Sequence, residues 1–286
     1  MMDQVNKIAL RYRPPRKEDI PKMKDFLCCI KSLGCDVVSS KDESGLFTDV
    51  ITIAEAEDEY RNADLVVVFG GDGTIIKAAR EFSPYGAPVL GVNTGTLGYL
   101  AELSPDECGI IGKIIAGDFR IEERMMLDVH IESGDKVTSP DLPAINEVVI
   151  SNGPISRLIK YDLLCDGIQI QSARADGVII ATPTGSTAYS MSAGGPVADP
   201  SLDCIITTPI CPFALNQRPV IYGADTVLEI SSVACRENDV FLTLDGSDVF
   251  SISPEDRIII KRSDIRAKLV RIKHRSFLEV LHEKMS

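Results

Sequence analysis

The chain has 286 residues, 44% hydrophobic and 25% charged, which is enough for one large domain or two ordinary ones with separate cores. A formal charge of −12 argues against non-specific nucleic-acid binding, which needs a basic surface to neutralise phosphates. An anionic ligand must then be held by local N–H clusters, a few Arg or Lys side chains, or a metal ion.

No apolar run approaches the ~18 residues of a membrane span. Met1 to Asn6 lack the basic and apolar regions of a signal peptide, so a cytoplasmic protein is expected. The eight cysteines are scattered, show no Cys-x-x-Cys spacing and sit mostly in apolar runs, so they read as buried reduced thiols. The three histidines, His130, His274 and His282, are isolated in sequence, which disfavours a His-based metal site or triad.

In chain order, Ile8-Ala9-Leu10 begins a first strand. Residues 17–33 predict a helix, with Ile20, Met23, Phe26, Leu27 and Ile30 at helical spacing and Gly34 as its stop. A short strand at Val37-Val38 and an acidic helix or loop over 53–63 follow. The β-branched run 65–69 then breaks at Gly70-Gly71-Asp72-Gly73-Thr74, and a helix-compatible run continues to Phe82. Pro88 to Val92 is another buried strand, ending in Asn93-Thr94-Gly95-Thr96-Leu97-Gly98-Tyr99-Leu100. Two glycine turns after parallel strands share the sheet edge at which open α/β sheets bind ligands. Ser104-Pro105-Asp106-Glu107 is a capping box that predicts one helix ending at Gly117.

The texture changes near residue 120. Strands are expected over 125–132, 142–151, 159–164, 168–172, 178–181, 227–231, 241–244, 249–252 and 257–261, with hairpin turns at Asp166-Gly167 and Asp245-Gly246. The fold class read from this pattern is α/β plus all-β. A doubly wound α/β domain spans 1–120, a two-sheet β-sandwich spans 121–264, and 265–286 returns to the first domain. In that last segment Phe277, Leu278 and Leu281 fall on one helical face.

Chemistry concentrates at three places. The glycines at 70, 71 and 73 let a phosphate approach backbone N–H groups at a helix start, together with Thr74 and with Lys77 one turn on. Asp72 among them repels phosphate, so it is a general base, a metal ligand, or only a helix cap. Residues 182–196 hold seven hydroxyl side chains and three glycines, a composition suited to a sugar, amide or phosphate. Asn146-Glu147 opens a strand and could hold two ribose hydroxyls, and Arg157 and Arg174 are candidate anion partners.

Taken together these residues resemble the NAD kinase family. The resemblance rests on Gly-Gly-Asp-Gly-Thr at 70–74, Asn-Thr-Gly-Thr-Leu-Gly-Tyr-Leu at 93–100, Asn-Glu at 146–147 and Thr-Pro-Thr-Gly-Ser-Thr-Ala-Tyr at 182–189. The first motif alone also occurs in lipid kinases and phosphofructokinases; the 182–196 segment is much more specific to NAD kinases. The resemblance implies phosphoryl transfer from ATP, or from another donor such as polyphosphate, to the 2′-hydroxyl of the adenosine ribose of NAD. Asp72 would be the base, Gly73 and the loop amides with Lys77 would contact dinucleotide or triphosphate oxygens, and Asn146 and Glu147 would hold the NAD adenosine and its ribose. Arg157, Arg174, Asp176, Thr187, Ala188, Tyr189, Ser190, Met191 and Ser192 would line the NAD site, with Tyr99 against a base. It further implies Mg²⁺ on the triphosphate without a dedicated cage, and a homo-oligomer, dimer or tetramer. Ser247, Cys211 and Phe213 depart from residues frequent in the family. A lipid kinase would need a membrane-facing basic helix, which is missing from the sequence pattern. A dinucleotide sensor would not need Asp72.

Overall fold

The computed structural model describes residues 4–41, 45–95, 98–153, 158–235 and 240–285. The chain forms two compact units, Met1–Glu123 with Ala267–Ser286, and Arg124–Arg266.

The first unit is built on β1 (Lys7–Tyr12), α1 (Ile20–Ser32), β2 (Asp36–Ser39), β3 (Thr52–Ile53), α2 (Glu57–Arg61), β4 (Leu65–Gly70), α3 (Asp72–Phe82), β5 (Val89–Asn93), α4 (Ile111–Ile115) and β6 (Arg120–Arg124). Its seven-stranded sheet has the order β3-β2-β1-β4-β5-β19-β6, where β19 is Ala267–Arg271. All of β4 is buried, as expected for a central parallel strand covered on both faces. Met23, Phe26, Leu27 and Ile30 of α1 pack inward at helical spacing, and Phe26 meets Phe69 edge to face with centroids 5.5 Å apart. Each such fully buried side chain contributes about 1.5–3 kcal/mol over leaving it in water. Because β1, β4 and β5 are parallel, their C-terminal ends bring residues 13–16, Gly70-Gly71 and Asn93-Thr94 to one edge.

The second unit holds β7 (Leu127–Ser133), β8 (Lys136–Thr138), β9 (Glu147–Asn152), β10 (Ile159–Cys165), β11 (Ile168–Ala175), β12 (Gly177–Ala181), the one-turn α5 (Tyr189–Ser192), β13 (Cys204–Ile210), β14 (Val220–Gly223), β15 (Leu228–Ala234), β16 (Val240–Leu244), β17 (Asp248–Ile252) and β18 (Arg257–Arg262). Two six-stranded antiparallel sheets, β11-β10-β15-β18-β7-β8 and β14-β13-β12-β9-β16-β17, form a β-sandwich. Alternate residues of both, including Val129, Tyr161, Ile230 and Ile260 from one and Val148, Ile180, Leu242 and Leu244 from the other, make its core. Asp166-Gly167 and Asp245-Gly246 both have positive φ at both positions; the first is the two-residue loop between the paired Cys165 and Ile168, and the second with Ser247 makes a three-residue loop between the paired Leu244 and Asp248.

Several local expectations are corrected. The capping box at Ser104 and Glu107 forms, but it opens a 3₁₀ segment, Pro105–Ile110, that kinks at Glu107 before α4. β9 begins at Glu147, because residues 142–146 approach it as irregular chain with a single bridge at Ala144. β13 was masked in sequence by Pro209, which pairs with Val178 beyond the end of β14, where the strand has one neighbour. Only Cys35 and Cys204 are buried; Cys28, on the solvent side of α1, and Cys211 are exposed, and the cysteines are free thiols. In the last helix, α6 (Phe277–Met285), Leu278 is 68% exposed, so the apolar face runs through Phe277 instead.

Candidate active site

Asp72 is the first residue of α3, with Gly71 at the N-cap, and its side chain does not cap the helix. It reaches instead across to the turn after β5, where Oδ2 accepts the Tyr99 N–H at 2.7 Å and Oδ1 the Leu100 N–H at 3.1 Å. The approach is close because residue 98 is glycine: a Cβ there would overlap the Asp72 carboxylate. A carboxylate has about four acceptor positions and these bonds use two, so each oxygen keeps capacity for an incoming proton. The turn thus orients Asp72 without saturating it.

Its chain neighbours Gly71 and Gly73 line a cavity of about 540 Å³, together with Arg11, Arg13, Thr74 and Lys77, among others. A smaller hollow of about 270 Å³ shares Arg13 and Gly71 with it and adds Arg16, Asn93 and Thr94. Asn93 closes the β5 turn on itself, its side chain exchanging hydrogen bonds with the Gly95 backbone. Gly73 and Lys77 are exposed, and the unpaired N–H groups of the first turn of α3 add positive character. Arg11 is tied to Glu81 of α3, whereas Arg13 and Lys77 line the space with cationic side chains suited to phosphate. Sequence reasoning missed Arg13 and Arg16. The available signal was the run Arg11-Tyr12-Arg13-Pro14-Pro15-Arg16 directly after the first strand. The Tyr99 ring lies against Phe277 of α6, centroids 6.5 Å apart, with Lys284 Nζ 5.9 Å above it.

In the second unit the Asn146-Glu147 pair is clamped from two sides. Asp245, in the β16–β17 turn, accepts the Ile145 N–H at 2.9 Å, the Asn146 N–H at 2.8 Å and the Glu147 N–H at 3.0 Å. Its own N–H donates to the Glu147 carbonyl at 3.0 Å. From the other side the Thr182 hydroxyl donates to the Ile145 carbonyl at 2.6 Å and its N–H to the Asn146 carbonyl at 2.9 Å. Gly185 rests on that same Asn146 carbonyl, where any Cβ would overlap it. Glu147 is 7% exposed, and its Oε2 has no hydrogen-bond partner among the described residues. Burial, reinforced by the Asp245 charge, pushes its carboxyl up to about 7.

The hydroxyl-rich segment divides into structural and accessible members. Ser186 donates to the Pro183 carbonyl at 2.6 Å and accepts the Ala198 N–H at 2.9 Å. The Ser190 hydroxyl is buried against Thr208 Oγ1 at 2.9 Å. Tyr189, Met191 and Ser192 are exposed, and Thr187 and Ala188 half-buried. Arg174 is exposed, its guanidinium 5.5 Å from the centroid of the Phe213 ring, and the Phe213 N–H donates to the Arg174 carbonyl at 2.8 Å. Phe213 therefore departs from the family pattern while touching a candidate site residue. Asp176 is half-buried next to it, and Ser247 stays within its turn, donating to the Leu244 carbonyl. Arg157 lies outside the described residues.

A fixed carboxylate flanked by glycines that line a cavity bordered by Arg and Lys side chains suits the class of enzyme that moves a phosphoryl group onto a hydroxyl. Family models of the ATP-NAD kinase N-terminal domain and the ATP-NAD kinase C-terminal domain match residues 17–119 and 145–272. The NAD kinase of Symbiobacterium thermophilum is 44% identical over 228 residues, 79% of this chain and 80% of that protein. That of Carboxydothermus hydrogenoformans is 42% identical over 237 residues, 82% of this chain and 84% of its own. The chain belongs to the NAD kinase family. Among solved structures, yeast NADH kinase complexed with NADH superimposes with a TM-score of 0.89 at 26% identity, covering 99% of this chain and 88% of that one. An NAD kinase from Archaeoglobus fulgidus in complex with ATP gives a TM-score of 0.75, also at 26% identity, covering 97% and 98%.

Proposed function

We propose that the protein transfers the terminal phosphate of ATP to the 2′-hydroxyl of the adenosine ribose of NAD, giving NADP, with Asp72 as the general base. The observation that carries the reading is the anchoring of Asp72 by the Tyr99 and Leu100 N–H groups, which fixes a carboxylate with spare acceptor capacity between Gly71 and Gly73, two residues that line the cavity. The 2′-oxygen passes its proton to Asp72 and forms a bond to the terminal phosphorus, while the bond from that phosphorus to the departing ADP oxygen breaks. Backbone N–H groups of Gly71 and Gly73, with Lys77 and Arg13, hold the donor's phosphate oxygens.

Asn146 and Glu147 take the adenosine ribose, and Arg157, Arg174, Asp176 and Thr187 to Ser192 contact the rest of the dinucleotide. Magnesium arrives with the triphosphate as part of the substrate and neutralises its charge. Its ligands are phosphate oxygens and water, as is usual for magnesium bound through a nucleotide. The protein works as a homo-oligomer, dimer or tetramer, a reading supported by Ile168 and Ile170 exposed on the edge strand β11 and Ile221 on the edge strand β14. Light scattering on the purified protein checks it, and a monomer at all concentrations would refute it.

The test of the activity is NADP formation by purified protein with NAD and magnesium ATP. Substituting other nucleoside triphosphates or inorganic polyphosphate ranks the donors, and substituting NADH ranks the acceptors. Phosphorylation of diacylglycerol with no NADP formed would overturn the reading.

A further inference from the structure

Asp245 has no assigned part in the reaction, yet it accepts three consecutive backbone N–H groups at residues 145–147 and returns its own N–H to the Glu147 carbonyl. A hairpin turn needs none of these bonds. They spend both oxygens of a half-buried carboxylate on fixing one particular dipeptide, which sits about 100 residues away in sequence. The dipeptide so fixed carries a second carboxyl, Glu147, that is nine-tenths buried and has one oxygen without a partner. An open acceptor in a buried place costs free energy until a donor fills it. Two carboxyls in one buried site do not both hold a full negative charge cheaply, so a proton is retained on the one that lacks donors.

We propose that Asp245 is a positioning residue for the Asn146-Glu147 pair, and that the two acids form a proton-exchanging site whose open Glu147 oxygen is completed by a ribose hydroxyl of the dinucleotide. This rests on the reading that Asn146 and Glu147 receive NAD. A hydroxyl donating to Glu147 Oε2 stabilises the ionised carboxylate, so binding drives the retained proton off. Burial and Asp245 together bring the free Glu147 carboxyl to about 7, which places the exchange at ordinary assay pH. Asp248 lies opposite Leu244 in the same hairpin, and Arg124 bonds to Thr184 Oγ1 at 3.3 Å in the loop after β12. Ala181, opposite Glu147 in β12, and Thr182 are uncharged, and Asp245 is the charge that bears on Glu147.

The experiment is calorimetric titration of the full chain with NAD between pH 6 and 8, in two buffers of different ionisation heat, which counts protons exchanged on binding. Wild type is expected to release a fraction of a proton near pH 6 to 7, declining toward zero by pH 8. Glu147→Gln should bind NAD with no such release. Asp245→Asn keeps a carbonyl oxygen that can occupy the Oδ1 position, and so can retain the Asn146 and Glu147 N–H bonds, while losing the charge. Its release window should move down by about one pH unit, with a KM for NAD raised more than kcat is lowered. Binding of NAD without release, proton uptake, or release unchanged in Glu147→Gln would each overturn the inference while leaving the kinase reading intact. Failure of wild type to bind NAD at all would overturn that reading itself.

Discussion

Asp72 and Glu147 are two acids, one in each unit, that stand beside glycine-bearing turns and have opposite surroundings. Asp72 accepts two main-chain N–H bonds and sits in the chain between Gly71 and Gly73, which line a cavity with Arg13 and Lys77 on its walls. Glu147 is buried, shares its site with Asp245 and has an oxygen with no partner. What differs is the supply of donors, and that supply decides what each carboxyl can do. The first is oriented to accept a proton during the reaction. The second is left incomplete until a substrate hydroxyl arrives, and its charge is suppressed meanwhile.

The largest expected effect comes from removing the first acid's basicity. Asp72→Asn keeps the shape and should lower kcat by about 10²- to 10⁴-fold, with NAD affinity within about threefold by titration. Next is the second acid, read through stability. Its folded-state value of about 7 lies above the ordinary 4.5, so the folded chain retains this proton between those values while the unfolded chain loses it. Stability on this account falls as pH rises through that window, by up to about 3 kcal/mol. Glu147→Gln should remove that fall, so denaturant melts at pH 5 and pH 8 should differ less for the variant than for wild type. An equal pH dependence in both would remove the contrast between the two acids.

A smaller effect is expected from disturbing how Asp72 is held. Gly98→Ala puts a methyl where the carboxylate lies, and kcat should fall about 10- to 100-fold without loss of fold by circular dichroism. Smallest is the loss of one phosphate contact at the cavity wall. Arg13→Ala and Lys77→Ala should each raise KM for ATP about tenfold, with KM for NAD little changed in steady-state kinetics. A matching rise in KM for NAD would mean that these cations serve the dinucleotide instead of the donor.

Much of the fold was legible because it is written in short-range pattern. The continuous apolar run of β4, the alternation in β7 and the Asp-Gly turns each announce their geometry within a few residues. β19 was not legible as a strand: 265–286 was expected to return to the first domain, but only a helical face was read in it, and nothing local marks Ala267–Arg271 as a neighbour of β5. The same limit applies at the candidate site. The glycine loop, Lys77 and the Asn146-Glu147 pair stood out by composition, whereas the partners that orient them are long-range. Asp72 is explained by backbone N–H groups 27 and 28 residues away. Asp245 read as half of a turn signal, and only tertiary structure brings its carboxylate to residues 145–147. Phe213 was visible as a departure, but its place on Arg174 was not.

The most direct test asks which oxygen receives the phosphate. Wild-type protein is incubated with magnesium ATP and either NAD or its analogue lacking the 2′-hydroxyl on the adenosine ribose, and products are assigned by phosphorus NMR. A phosphate is expected on the 2′-oxygen of NAD, and the analogue is expected to bind without being phosphorylated. Phosphate on another oxygen, or turnover of the 2′-deoxy analogue at a comparable rate, would contradict this.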